Sequence, residues 1–170
     1  PLCRRQRQMC IRDSILLDEK TEVNDLRPYI DTIRRVKSAS EIQYMQEAAS
    51  IASSAHEKAM RNSRPGMGEW EIQAMVEGHF MSSQSQWSFP SIVGGGDNAT
   101  VLHYKDNNQV IGSGDLVLVD AGCEVSGYAS DITRTWPVNG RFSQPQREIY
   151  NLVLKAELAG IEACQPGMPW

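Results

Sequence analysis

The stretch Gly114–Pro137, GDLVLVDAGCEVSGYASDITRTWP, decides how this chain folds. Its apolar run Leu116-Val117-Leu118-Val119 reads as a strand buried on both faces. That run ends on an acid, Asp120, where water should be scarce. Ser126-Gly127 has the composition of a two-residue hairpin turn, and the returning segment Tyr128–Trp136 carries a second acid, Asp131. With the turn centred there, Val125 faces Tyr128, Asp120 faces Thr133 and Asp131 faces Gly122. Side chains alternate with period two, so Asp120, Asp131 and Thr133 project from one face. A three-residue turn would put the two acids on opposite faces.

In the two-residue register the acids are diagonal neighbours, roughly 7–8 Å apart by Cα. A pair of metal ions about 3.5–4 Å apart fits between such carboxylates. Without a counter-charge the two acids would repel, and one would take up a proton. Arg134 is near in sequence but falls on the other face. A divalent cation removes the conflict directly. The plainer alternative is that Asp120 starts a DAG turn and Asp131 caps an edge strand.

The motifs VDAG, SDITRT and the upstream Leu102-His103-Tyr104 resemble those of the metal-dependent aminopeptidase P family. The eleven residues from Asp120 to Asp131 and the seventeen from His103 to Asp120 match the family's spacing. SDITRTWPVNGRF followed by PQREIY is most similar to its mitochondrial-type branch. The resemblance spans about residues 26 to 169 and implies an α+β fold, the first half of a pita-bread domain in which antiparallel hairpins pack against amphipathic helices. It implies hydrolysis of the first peptide bond of a peptide whose second residue is proline. Two divalent ions, manganese by family habit with cobalt or zinc as alternatives, would activate the attacking water. Asp120 would bind one ion, Asp131 would bridge both, and His103 would contact the substrate in the catalytic step. Thr133 is a candidate hydroxyl for orienting a carboxylate.

The family's site also needs a histidine and two glutamates, which lie downstream of the last residue here. The expectation is therefore a truncated catalytic domain over residues 38–170, inactive alone, with 15–37 as a connector from a missing N-terminal domain. Nearest rivals within the fold are a methionine aminopeptidase or a prolidase. A non-catalytic peptide- or histone-binding scaffold of the same fold is the rival of another class, but such proteins typically lose the metal carboxylates. The resemblance suggests a mitochondrial location, with the cytoplasm as the alternative, and a homo-oligomeric parent.

Elsewhere, Ser38-Ala-Ser-Glu41 is a capping box opening a helix whose stripe is Ile42, Met45, Ala49, Ala52, Ala55 and Ala59. His56 reads as a helix-surface or packing residue. A second helix is expected over Trp70–Met81, with Ile72, Met75, Val76, His79 and Phe80 on its core face. Ser91–Asn98 is Gly-rich but lacks the Lys-Ser/Thr of a phosphate loop, so close backbone approach explains it better. Thr100–Tyr104, which holds His103, and Gln109–Ile111 read as short strands. The last helix opens at Ser143-Gln-Pro-Gln146, with Ile149, Leu152, Val153 and Ala156 as its inner stripe, and stops before Cys164.

The opening PLCRRQRQMCIRDS, residues 1–14, is Arg-rich and can pass for part of a mitochondrial presequence. RRQRQMCIRD also resembles a translated sequencing-library adapter, so either way residues 1–14 are set aside as a non-native leader. The whole chain carries 17 basic and 21 acidic residues for a net charge of −4, and removing that leader makes the remainder more acidic. No basic patch favours nucleic acid, and no apolar run approaches the ~18 residues of a membrane span. Cys123 and Cys164 are too few and too distant for a disulfide framework or a zinc motif.

Overall fold

The computed structural model describes residues 24–169. The reading of residues 1–14 and the start of the connector fall outside the described residues. The chain divides between Lys37 and Ser38 into two units. In the first, Arg27–Arg35 forms helix α1, with Pro28 in its first turn where a missing N–H costs nothing. Arg34 and Arg35 close its last turn, and none of its residues is buried.

Among the described residues the second unit holds three α-helices and two three-stranded antiparallel sheets. Helix α2 is Ala39–Asn62 and α3 is Glu69–Ser82; the last helix, α4, is Gln144–Ala163. Strands β2 (Ile92–Gly95), β3 (Leu116–Ala121) and β6 (Ile132–Pro137) form one sheet in the order β2-β3-β6. Strands β1 (Gln86–Trp87), β4 (Cys123–Val125) and β5 (Tyr128–Ala129) form the other in the order β1-β4-β5. No described helix is long and apolar enough to cross a membrane.

The capping box at Ser38 is present, with Ser38 N donating to Glu41 Oε2 at 2.6 Å. The stripe of α2 holds in its second half, at Ala52, Ala55 and Ala59, and departs from the expected one only in its first half. Ala48, Ala52, Ala55 and Ala59 are fully buried, whereas Ile42, Met45 and Ala49 are exposed. Its first two turns meet the hairpin through Glu41, which accepts from the Tyr128 hydroxyl at 2.7 Å, and Tyr44, stacked on the Tyr128 ring. Those two residues lie on the same helical face as Ala48, so a polar and aromatic contact sets the face where apolarity suggested its neighbour. His56 is a buried packing residue whose Nδ1 bonds the Ala52 carbonyl at 2.8 Å.

Strand β3 is not buried on both faces. Val117, Val119 and Ala121 are buried in the core with the α2 alanines and Ile72, Val76 and Phe80 of α3. Leu116, Leu118 and Asp120 face the other way and are only half-buried. That face opens onto a groove of about 730 Å³ shared with α4, whose lining includes Leu116, Leu118, Thr133 and Val153. The supposed inner stripe of α4 is uncovered, with Ile149, Leu152 and Val153 each more than 60% exposed. Helix α4 is joined to the sheet by Gln146 Nε2 donating to the Gly114 carbonyl at 2.9 Å and by a loose Arg134–Glu157 ion pair.

The strands expected at Thr100–Tyr104 and Gln109–Ile111 do not form. Gly96–Thr100 is a 3-10 turn, residues 101–104 are irregular, and Val110 makes a lone bridge to Gly68. The Gly-rich stretch owes its composition to close approach: a Cβ on Gly94 would stand 2.9 Å from the Asn98 and Ala99 backbone.

An apolar stripe this exposed should self-associate. Sedimentation of the 170-residue chain is expected to show concentration-dependent association, reduced by Leu152→Glu with Val153→Glu; a monodisperse monomer at all concentrations would contradict it.

Candidate metal centre

The register that places the two acids is formed as the alternation requires. Asp120 pairs with Thr133 and Ala121 with Ile132, while Val125 pairs with Tyr128 across the turn. Ser126 and Gly127 both have positive φ, at 50° and 86°, the signature of a type I′ hairpin turn. Thr133 stands opposite Asp120, but its hydroxyl bonds to neither carboxylate among the described residues.

Asp131 lies in the short break between β5 and β6, and its neighbours hold it there. Ser130 N donates to the Cys123 carbonyl at 2.8 Å, and Cys123 N donates to Ser130 Oγ at 3.0 Å. Ser88 closes the knot from β1's end, with its N–H on the Gly122 carbonyl and its hydroxyl on the Ser130 carbonyl. Gly122 makes this possible, because a Cβ there would fall 1.8 Å from the Ser130 carbonyl oxygen. Cys123 is buried, its thiol donating to the Ala48 carbonyl at 3.3 Å. Ser88 and Ser130 escaped the sequence reading, and Gly122 entered it only as the residue facing Asp131; the glycine of DAG was the visible signal.

The electrostatics are set by two acids side by side. Asp120 Oδ1 is buried and has no hydrogen-bond partner among the described residues. An unsatisfied buried charged oxygen costs at least about 1–3 kcal/mol, so the site fits a positive ligand. Burial first, and then the Asp120 charge beside it, push the Asp131 carboxyl above its ordinary 3.8. The two side chains are close enough to share that proton. No third His, Cys, Asp or Glu joins them among the described residues.

His103 is placed elsewhere than expected. It sits in a turn rather than a strand, exposed, with φ at 53°. It has no bond to either acid among the described residues. Its loop is fixed by neighbours: Tyr104 donates its hydroxyl to Glu69 Oε2 at 2.8 Å. Burial, and next that carboxylate, push the Tyr104 hydroxyl upward, which keeps it a donor. Asn107, buried at φ 44°, receives Val93 N–H at 3.0 Å and donates to the Ser91 carbonyl and to Gln73.

Two neighbouring carboxylates on a helix-backed antiparallel sheet are a hard-donor pair of the kind that suits a divalent cation. The chain belongs to metallopeptidase family M24, which it matches over residues 43–170. It is 50% identical over 148 residues to a Haemophilus influenzae Xaa-Pro aminopeptidase, covering 86% of this chain and 34% of the relative. To mouse Xaa-Pro aminopeptidase 3 it is 42% identical, covering 87% of this chain and 29% of the relative. The solved zinc-substituted Escherichia coli aminopeptidase P with product superposes with a TM-score of 0.82 at 44% identity, over 84% of this chain and 33% of that one. The fold is therefore the pita-bread fold of aminopeptidase P, and the chain spans about a third of the length of these relatives.

Two expectations follow from the geometry. Gly122→Ala should destabilise by at least about 3 kcal/mol, because the clash is with backbone, and a urea midpoint close to wild type would refute it. Asp131's raised pKa lowers native stability above that value, and the penalty disappears as pH falls through it towards 3.8. Asp131→Asn should thus raise Tm at neutral pH in chelator, with the advantage over wild type shrinking on acidification.

Proposed function

We propose that this chain contributes the first two protein ligands of a dinuclear Xaa-Pro aminopeptidase centre, acting on peptides with proline second. The observation that carries the reading is the pair Asp120 and Asp131 on one face, with an Asp120 oxygen buried and unpartnered. Asp120 would hold one ion and Asp131 would reach both; hard carboxylate donors suit manganese, with cobalt or zinc as alternatives. When bound, the ions would supply Lewis-acid activation of water and of the scissile carbonyl. Thr133 presents a hydroxyl next to Asp120 across the ladder, and His103, exposed on its loop, is free to meet the substrate. A non-catalytic peptide- or histone-binding scaffold would have no use for two carboxylates held against each other, so that reading is not favoured. The likeness to a mitochondrial intermediate cleaving peptidase of Arabidopsis thaliana, 43% identical, supports a mitochondrial location, with the cytoplasm as the alternative.

Residues 38–170 are read as part of the catalytic domain and the preceding stretch as a connector. The remaining ligands would come from further sequence of the kind the longer relatives carry. The 170-residue chain should bind manganese more weakly than about 1 μM by calorimetry and show no peptidase activity. A longer chain bearing the other ligands should hydrolyse an Xaa-Pro peptide, with Asp120→Asn and Asp131→Asn each lowering kcat by more than about 100-fold. Sub-micromolar manganese binding by the short chain, or full activity in either variant, would overturn the reading.

A further inference from the structure

We propose that Glu69, on the helix behind the sheet, is the positioning residue that sets the loop carrying His103. The proposal rests on the substrate-contacting role given to His103 above.

Glu69 is fully buried at the first position of α3. Its carboxylate forms no ion pair with a Lys or Arg among the described residues. A buried carboxylate needs compensation, and four donors can satisfy its two oxygens. Four are present. Oε1 receives Gly95 N–H at 2.8 Å and Asn98 Nδ2–H at 3.0 Å. Oε2 receives the Tyr104 hydroxyl at 2.8 Å and Gln109 N–H at 3.0 Å. The N-terminus of α3 adds a favourable dipole.

These donors come from both arms of the loop that runs from the end of β2 to Val110. Gly95 and Asn98 precede His103; Tyr104 and Gln109 follow it. Asn98 also donates to the Tyr104 hydroxyl at 3.0 Å, tying the arms together next to the histidine. His103 itself is exposed and occupies the left-handed region, which a non-glycine residue adopts only when its surroundings hold it there. Its position is therefore a property of the backbone around it, and that backbone is gathered on Glu69. Asn107 provides a separate anchor to β2 that does not involve Glu69.

Glu69→Gln is the sharpest test, because it keeps shape and removes one acceptor oxygen. Whichever way the amide faces, two of the four donors lose their acceptor. By NMR on the 170-residue chain, exchange at the Gly95 or Gln109 amide should quicken at least tenfold. Val93 N–H, held by Asn107, should keep its protection. The His103 amide order parameter should fall towards the flexible range below about 0.6. Wild-type protection at both Gly95 and Gln109 with an unchanged His103 order parameter would overturn the proposal. Should Glu69→Gln fail to fold, Tyr104→Phe, which removes one donor of the four, must lower the His103 order parameter, and no change there would overturn it equally. In a longer, active chain Glu69→Gln should lower kcat at least tenfold, and the effect should vanish in a His103→Ala background. If His103→Ala leaves kcat unchanged while the exchange result stands, the role of His103 fails and the positioning by Glu69 survives.

Discussion

Two like charges are held face to face by a hairpin whose register leaves them no alternative. Asp120 lies on a strand whose buried neighbours, Val119 and Ala121, are committed to the core. A slip of one residue would drive the acid into that core and turn the valines outwards. Asp131 lies where Ser88, Cys123 and Ser130 have used the available backbone hydrogen bonds to pull the chain over Gly122. Neither acid can retreat without dismantling the core or this knot, so the two carboxyls stay side by side and the Asp131 carboxyl is pushed above its ordinary range.

The remaining elements serve that arrangement. The small alanines of α2 and the larger Ile72, Val76 and Phe80 of α3 back one face of the sheet, leaving the other face, with Asp120, half-buried. Helix α3 has a second role, because its polar side chains Glu69 and Gln73 replace the strand pairing that the segment after β2 lacks. A loop gathered on buried side chains can present an exposed histidine in a backbone conformation that a regular strand does not permit. A regular β-strand through His103 would hold it in the extended φ range instead.

Much of this was legible beforehand. The two-residue turn, the pairing of Asp120 with Thr133, the caps at Ser38 and Ser143 and the extents of three helices follow from patterns spanning a few residues. Where the reading failed, a distant partner was responsible. The first half of the α2 stripe departs from the expected one because Tyr128, far along the chain, stacks on Tyr44 and bonds Glu41. Where a strand was expected at His103 the chain closes into local turns, Val101 N–H on the Asn98 carbonyl and Tyr104 N–H on the Val101 carbonyl, and distant Glu69 holds the Tyr104 hydroxyl. The stripe of α4 has the period of a buried face yet stays open, because periodicity shows that a face is apolar without showing what covers it.

By itself the sequence determined that both acids share a face, since alternation and a Ser-Gly turn are local rules that act before any tertiary contact forms. Only the tertiary structure decided how Asp131 is pressed against Asp120, why Gly122 cannot bear a side chain, and what holds His103 in its turn. Those depend on the approach of segments between eight and about forty residues apart, and no local pattern encodes where a chain will meet itself.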